Sequence, residues 1–215
     1  MIDYISGNRD IIWTAFQEHL YLALIPVILA IIISLPLGYI AVRYKKLYYP
    51  LVNISSILYA IPSLALFLLL PPIIGTGVLS PLNIIIALTV YSVALMVRVV
   101  ADGLNSVDPA ITQAATAMGY RRVKRLVSVE LPIALPVMLA GLRVATVANV
   151  SIVSVGALIG VGGLGALFLR GLQLDYLAPI YVGIILSVLL AATCDIIIVL
   201  VQRRFTPWVR AGGRA

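Results

Sequence analysis

The feature that most constrains this chain is a run of 51 residues, from Leu47 to Val97, that contains no charged side chain. A membrane-spanning helix needs about 20 apolar residues, so the run is too long for one span and fits two spans joined by a turn. The turn is predicted between Pro71 and Pro81, where prolines and glycines cluster. The chain is therefore expected to lie in a membrane.

Composition agrees with a membrane location. Of the 215 residues, 62% are hydrophobic and 11% are charged, whereas soluble domains are about 45–50% apolar and about 25% charged. Five spans would use about 100 residues and leave no length for a folded soluble domain. The membrane part must then carry the function.

The boundaries of the spans follow from the runs without charge, because a charge is costly at the middle of a bilayer. Five spans are predicted, at about 20–42, 50–70, 82–99, 133–158 and 178–201. Residues 1–19 precede them, and residues 202–215 form a basic tail. The expected fold class is an all-α integral membrane protein with about five transmembrane helices.

Positive charges give the orientation. Twelve of the 15 Lys and Arg residues fall on one side of these spans: Arg43, Lys45, Lys46, Arg98, Arg121, Arg122, Lys124, Arg125, Arg203, Arg204, Arg210 and Arg214. The positive-inside rule makes that side cytoplasmic, with the N-terminal segment outside and the C-terminal tail inside. The net charge of +7 then reflects topology, so we expect the bilayer as a partner and no nucleic acid.

The loop at residues 101–132 is long for a compact membrane protein. Asp108 and Pro109 predict a helix start, and Gly119 is placed just past the helix end. A second short helix is predicted at 120–129, with Leu131-Pro132 ending it and beginning the next span. The first helix is short and rich in alanine, and Ile111, Ala115 and Met118 give it one narrow apolar face that predicts a docking surface. The alternative is a pair of helices lying among lipid headgroups.

This loop resembles the E-A-A-x3-G-x9-I-x-L-P loop of permease subunits from binding-protein-dependent ABC importers of the type I fold. The matching positions are Gln113, Ala114, Ala115, Gly119, Val129, Leu131 and Pro132, with the motif's spacing intact. Gln113 replaces the motif glutamate and Val129 the isoleucine. The resemblance implies that residues 101–132 couple the spans to an ATPase.

Three further segments resemble the permeases for glycine betaine, carnitine and choline. They lie at 60–66, 107–111 and 160–165, and the segment 203–208 is similar as well. The implied function is the permease subunit of an ATP-driven importer of such osmoprotectants in a bacterial plasma membrane. Importers of another small polar solute, such as an amino acid, and a non-transporting scaffold that recruits an ATPase are the alternatives.

The partners follow from the same resemblance. The sequence lacks the G-x-x-x-x-G-K-[ST] motif of a phosphate-binding loop, so no catalytic residue is expected and a dimeric ABC ATPase must hydrolyse ATP. A substrate-binding protein outside the membrane and a second permease copy or sister permease are also expected. ATP and magnesium would bind to the ATPase, and this chain is expected to hold no cofactor or metal.

Two charges lie inside the predicted spans. Arg143 and Asp195 are placed at similar depth from the cytoplasmic side and have opposite sign, which favours an ion pair between helices. Arg143 reaching toward the headgroups, or a direct substrate contact, are the alternatives.

Polar and aromatic residues of the spans are candidates for lining a pathway. Thr146, Asn149, Ser151 and Ser154 give the fourth span a polar face. Tyr59 and Tyr91 offer aromatic faces for a quaternary ammonium group. For all six, helix packing is the alternative role.

The segment Gly160 to Gly165 matches G-x-G-x-x-G, but it follows a membrane helix and lacks an acid about 20 residues on, so a nucleotide site is excluded. A flexible outer gate or a re-entrant turn is expected there. Glu18 and His19 are interpreted as anchors at the outer mouth of the first span.

Overall fold

The computed structural model describes residues 1–208, which form helices and turns with no strand among them. The helices are α1 (Ile2–Gly7), α2 (Arg9–Arg43), α3 (Lys45–Ala60), α4 (Ser63–Ile74), α5 (Pro81–Asn105), α6 (Pro109–Ala117), α7 (Arg122–Arg125), α8 (Leu131–Gly156), α9 (Gly165–Gln173) and α10 (Leu177–Phe205). A π-helical segment (Leu126–Glu130) joins α7 to α8, and a 3-10 turn (Ala157–Ile159) follows α8. Arg210 and Arg214 of the predicted basic tail lie outside the described residues.

Four helices are long and apolar enough to cross a membrane: α2, α5, α10 and the continuous stretch from α7 through α8. Helices α3 and α4 pass the same test together but are bent by 102° relative to each other, so they give a fifth candidate span. The predicted fold class, an all-α membrane protein with about five spans, is confirmed.

The bend between α3 and α4 is not the continuous helix expected at 50–70. Pro62 has no N–H to donate and disfavours the helical conformation of the residue before it. Ile61 accordingly adopts an extended conformation, with φ −65° and ψ 130°. Its free carbonyl accepts a hydrogen bond from the hydroxyl of Tyr91 on α5, which satisfies the group that the break leaves unpaired.

The first long helix begins 11 residues earlier than the predicted span, at Arg9 instead of residue 20. Its additional turns are held by apolar contacts. Ala15 of α2 and Tyr4 of α1 belong to one buried cluster with Leu164, Leu167, Ala178 and Val182 of the α9 and α10 region. The expected separate segment 1–19 is therefore helical and packs onto the bundle. Charges at its surface had marked the limit of the apolar run without ending the helix.

The break predicted at Leu131-Pro132 is absent, because the chain continues as helix from α7 into α8. A proline inside a helix clashes with the carbonyl four residues before it and removes one hydrogen bond. The π-helical segment directly before Pro132 inserts the extra residue that relieves this conflict. The loop is thereby joined rigidly to a membrane span.

Helix α5 occupies the centre of the bundle and packs against α2, α3, α4 and α8. Buried aliphatic residues from α2, α5 and α8 form the main core, with Phe67 of α4 fully enclosed. We call the end of the bundle that holds the α2–α3 turn, the α5–α8 loop and the end of α10 the basic end, after its Lys and Arg residues.

Candidate functional site

The α5–α8 loop presents a helix with both ends capped. The Asp108 carboxylate accepts a hydrogen bond from the Ala110 N–H at 2.7 Å, and Pro109 occupies the first helical position. At the other end Gly119 has φ +83°. The Gly119 N–H donates to Thr116 and the Tyr120 N–H donates to Ala115, the pair of bonds that defines a Schellman motif. Both ends lie where the sequence places them.

The exposed face of α6 differs from the predicted face. Ala115 is 1% exposed, so it packs within the chain. Ile111 and Met118, which the sequence places on the same face, are exposed, Met118 by 71%. The other exposed small and polar residues of α6 are Ala110, Gln113, Ala114, Thr116 and Ala117. A partner would therefore meet Ala114 and Ala117 and would not meet Ala115.

A charged latch that sequence reasoning did not find fixes α6 to the π-helical segment. Arg125 Nε donates to a carboxylate oxygen of Glu130 at 2.6 Å, and Arg125 Nη1 donates to the Thr116 hydroxyl at 2.8 Å. The Thr116 hydroxyl donates in turn to the Thr112 carbonyl. The loop is thus one unit from α6 to the start of α8. In the sequence, the signal for this ion pair was Glu130, the acid between Val129 and Leu131.

The other motif positions lie along the same unit. Gln113 is exposed and makes no hydrogen bond with a described residue. Val129, Leu131 and Pro132 are half-buried at the junction of the π-helical segment with α8. The acid that organises the loop internally is therefore Glu130 and not the residue at position 113.

The structure brings together the two charges of the spans. Arg143 of α8 donates to both carboxylate oxygens of Asp195 on α10, at 2.6 Å and 2.9 Å. The two side chains are 38% and 30% exposed at the surface of the chain. A two-point bond between an arginine and a carboxylate fixes the relative position of two helices as well as neutralising both charges.

The polar residues of α8 divide into buried and outward-facing sets. Thr146 and Asn149 are buried, and the Asn149 amide accepts a bond from Ser92 at 3.1 Å and donates to the Ala23 carbonyl at 3.4 Å. Ser151 is exposed and Ser154 is half-buried. Asn149 thus joins α8 to α2 and α5, which is the packing alternative, whereas the Thr146 hydroxyl donates to the Leu142 carbonyl of its own helix.

Tyr59 and Tyr91 also differ in their exposure. Their rings meet edge to face with centroids 5.8 Å apart. Tyr91 is buried with its hydroxyl bonded to Ile61, whereas Tyr59 is 42% exposed. Only Tyr59 of the pair therefore presents an aromatic surface to a solute.

A polar stripe on α5 was missed because the predicted span ended at residue 99. Val97, Val100, Ala101 and Leu104 are buried on one side of the helix. On the other side lie three exposed residues at the spacing of one helix face: Arg98, Asp102 and Asn105. Asp102 and Asn105 therefore belong to α5 and not to the predicted loop, and they extend the helix face of Arg98. The spacing of Arg98 from Asp102 was the signal in the sequence.

At the end opposite the basic end, Glu18 and His19 hold the glycine-rich turn. The Gly163 N–H donates to Glu18 at 3.0 Å, and the Leu164 N–H donates to His19 Nδ1 at 3.1 Å. Since Nδ1 accepts, Nε2 carries the proton and donates to the Val150 carbonyl at 2.9 Å. The interpretation of His19 as an anchor at the outer mouth is wrong: it is fully buried and joins α2 to α8 and to the turn before α9.

The chain is similar to known membrane transport proteins over most of its length. The family model described as the inner membrane component of binding-protein-dependent transport systems matches residues 30–210. The osmoprotectant import permease OsmW of Salmonella typhimurium is 36% identical over 209 residues, which cover 96% of this chain and 97% of that protein. The glycine betaine/carnitine/choline permease OpuCD of Bacillus subtilis is 31% identical over 95% of this chain and 88% of its own length.

Solved structures show the same fold. The inward-facing MetNI methionine ABC transporter matches with a TM-score of 0.74 at 23% identity, over 92% of this chain and 95% of that one. An amino acid ABC transporter crystallised with histidines matches with a TM-score of 0.77 at 17% identity, over 94% and 97% of the two chains. The chain therefore belongs to the family of membrane-spanning permeases of binding-protein-dependent ABC importers.

Proposed function

We propose that this permease imports quaternary-amine osmoprotectants, the class that includes glycine betaine, carnitine and choline, across a bacterial inner membrane. ATP hydrolysis takes place on a separate dimeric ABC ATPase that binds the α5–α8 loop at the cytoplasmic, basic end. A substrate-binding protein delivers the solute at the opposite end, and a second permease completes the pathway. This chain supplies helices and no catalytic group.

The loop geometry carries the proposal. A docking element must transmit force without yielding, and the capped helix α6, the Arg125 latch and the continuous helix into α8 meet that need. Its exposed face combines Met118 and small alanines, which permit close approach by a partner. The relatives named as osmoprotectant, carnitine and choline permeases support the solute class.

Copurification tests the docking step. The tagged permease, expressed with the neighbouring transport components, should retain an ATPase whose hydrolysis rises when the binding protein carries its solute. Ala117→Trp should remove ATPase binding, because Ala117 is exposed on α6. Val78→Trp, on an exposed loop at the opposite end, is the control for a bulky side chain and should retain the ATPase.

Uptake tests the solute class. Cells lacking the chain should lose uptake of radiolabelled glycine betaine, carnitine or choline, and the wild-type chain should restore it. Gly119→Pro should abolish uptake while the protein still inserts, because residue 119 needs a positive φ that proline cannot adopt. Normal uptake of all three solutes without the chain would contradict the solute class, and an ATPase unresponsive to the loaded binding protein would favour a scaffold.

A further inference from the structure

A cavity of about 270 Å³ lies in the groove between α3 and α5. It is lined by Ser55, Ser56, Tyr59, Ala94, Leu95 and Arg98. Its volume is near the lower limit of the about 300–1,000 Å³ found for small-molecule sites. The lining combines a cation, an aromatic face and two hydroxyls with the apolar side chains of Ala94 and Leu95.

Arg98 lies near the basic end of its span. It lies seven residues before the end of α5, about 10 Å along the helix axis. Helix α5 has 25 residues and is thus about 37 Å long, so only a few ångströms at each end extend beyond a hydrocarbon layer of about 30 Å. Ionised residues at such depth face the protein interior or a water-filled path. A groove that opens onto water at the basic end satisfies this requirement, and a guanidinium so near a helix end also reaches the headgroup layer.

The bond that holds Arg98 is loose. Its Nε lies 3.7 Å from a carboxylate oxygen of Asp102, one turn along the same helix, and the two side chains are 62% and 50% exposed. Asp102 also accepts a hydrogen bond from the Tyr48 hydroxyl at 3.3 Å. The guanidinium has five N–H donors and can take a second carboxylate without leaving a buried charge unpaired.

Further donors in the cavity are unused. The Ser55 side chain is buried at the cavity wall, and neither it nor the Tyr59 hydroxyl makes a hydrogen bond with a described residue. Ser56, by contrast, donates to the Val52 carbonyl at 2.9 Å. The cavity therefore offers a cation and two free hydroxyls beside one exposed aromatic ring.

We propose that this cavity binds the transported solute during its passage, with Arg98 and Ser55 holding a carboxylate and the face of Tyr59 contacting a quaternary ammonium group. The proposal rests on the solute class of the proposed function. Arginine binds carboxylates at two points, and aromatic faces attract quaternary ammonium ions. A zwitterion that carries both groups matches the lining of the cavity.

The groove continues toward the basic end. A second cavity of about 240 Å³ is lined by Ala41, Val42, Lys45, Tyr48, Tyr49 and Asn105. Tyr48, bonded to Asp102, lies between the two cavities. Polar side chains thus follow the α3–α5 groove from Arg98 to the end of α5, which is the direction in which an imported solute leaves.

The proposal makes Arg98 a determinant of specificity. Glycine betaine and carnitine carry a carboxylate, whereas choline carries a hydroxyl in its place. Removing the guanidinium should therefore penalise the first two solutes and spare the third. A site that recognises a group by charge-assisted bonds discriminates far more strongly than an apolar pocket, because its polar groups are left unpaired by the wrong ligand.

The test uses the complete transporter, with its ATPase and binding protein, in proteoliposomes. Initial rates of glycine betaine, carnitine and choline uptake are measured at saturating binding protein for the wild type, Arg98→Gln and Arg98→Lys. We expect Arg98→Gln to lower carnitine and glycine betaine uptake about tenfold or more and choline uptake less than about twofold. Arg98→Lys should retain part of the carboxylate-dependent uptake. Lys46→Gln, which removes an exposed cation outside the cavity, should not discriminate among the solutes.

Two results separate this proposal from the one on which it rests. Equal loss of all three solutes in Arg98→Gln, with normal ATPase binding, would assign Arg98 a general structural role and overturn the proposal alone. A wild-type transporter that carries none of the three solutes would overturn the solute class and this proposal with it. If Arg98→Gln is unstable, Ser55→Ala provides a second test in the same uptake assay. We expect it to lower carnitine and glycine betaine uptake by a smaller factor and to leave choline uptake unchanged.

Discussion

The two intramembrane pairs of this permease contain the same ions in opposite arrangements. Arg143 and Asp195 come from different helices and meet through two short hydrogen bonds. Arg98 and Asp102 come from consecutive turns of one helix and approach only to 3.7 Å. The first pair fixes α8 against α10, whereas the second joins two turns of α5, and its link to another helix is the hydrogen bond from the Tyr48 hydroxyl to Asp102.

A small helix bundle can therefore contain one ion pair that stabilises its structure and another whose donors stay available to a ligand. When both carboxylate oxygens bind one arginine, the acceptors of the acid and several donors of the guanidinium are already used. Such a pair is suited to holding two helices together and leaves few groups for a solute. A long pair at an exposed stripe keeps its donors available. If geometry assigns these roles, substitutions in the Arg143–Asp195 pair should affect folding and substitutions in the Arg98–Asp102 pair should affect transport.

The largest effect is expected from removing one member of the tight pair. Arg143→Ala or Asp195→Ala leaves the other charge uncompensated within a span, which membranes tolerate poorly. We expect the amount of folded permease in the membrane to fall at least about tenfold. Fluorescence-detected size-exclusion chromatography of the tagged protein measures this amount. Full abundance of both variants would show that the pair is dispensable for folding.

Exchanging the two charges sharpens the same prediction. The double variant Arg143→Asp with Asp195→Arg restores opposite charges on α8 and α10, so it should regain abundance and uptake relative to either single exchange. The two single exchanges place like charges together and are the matched controls. Should the double variant be no better than the singles, the role of this pair would lie in something other than mutual neutralisation.

An intermediate effect is expected at the third ion pair, the latch of the α5–α8 loop. Glu130→Gln weakens a charge-assisted bond of 2.6 Å to Arg125, a kind of interaction worth about 1.5–3 kcal/mol. The amides of α6 should then exchange about tenfold or more faster, as measured by hydrogen exchange and mass spectrometry, and ATP hydrolysis should respond less to the loaded binding protein.

Thr116→Val is the matched control for the latch. It removes the second hydrogen bond of Arg125 and leaves the bond to Glu130, so exchange in α6 should rise less than in Glu130→Gln. Unchanged exchange in both variants would mean that α6 is held by its caps and by the packing of Ala115 alone.

Local chemistry explains which of these features could be read from the sequence. The caps at Asp108 and Gly119 depend on a few adjacent residues, and the pair Arg143 and Asp195 was predicted because a charge in an apolar run demands a partner. The fold class followed from hydropathy and spacing. These are cases in which short-range pattern and the membrane together leave few solutions.

The missed features depend on contacts between distant segments or on exact helix ends. His19 reaches a turn 145 residues later, and nothing near it in the sequence indicates that contact. The predicted span ended at residue 99 because Arg98 interrupts the apolar run, although the buried face of Val100 and Leu104 continues the helix to Asn105. Pro62 was the available signal for the break within the span predicted at 50–70, but a proline alone does not specify the 102° angle between α3 and α4.

The smallest effect is expected from the acid of the loose pair. Asp102→Asn removes the charge opposite Arg98 but keeps an oxygen that can accept the Tyr48 hydroxyl. Exposed pairs one helical turn apart contribute about 0.3–0.5 kcal/mol, so abundance should stay at the wild-type level and the melting temperature should shift by about 1–2 °C at most. Because Asp102 competes with a solute carboxylate for the guanidinium, the KM for carnitine should fall slightly or stay constant while that for choline does not fall. If Asp102→Asn instead lost the folded protein as Asp195→Ala is expected to do, both pairs would be structural and geometry would not distinguish them.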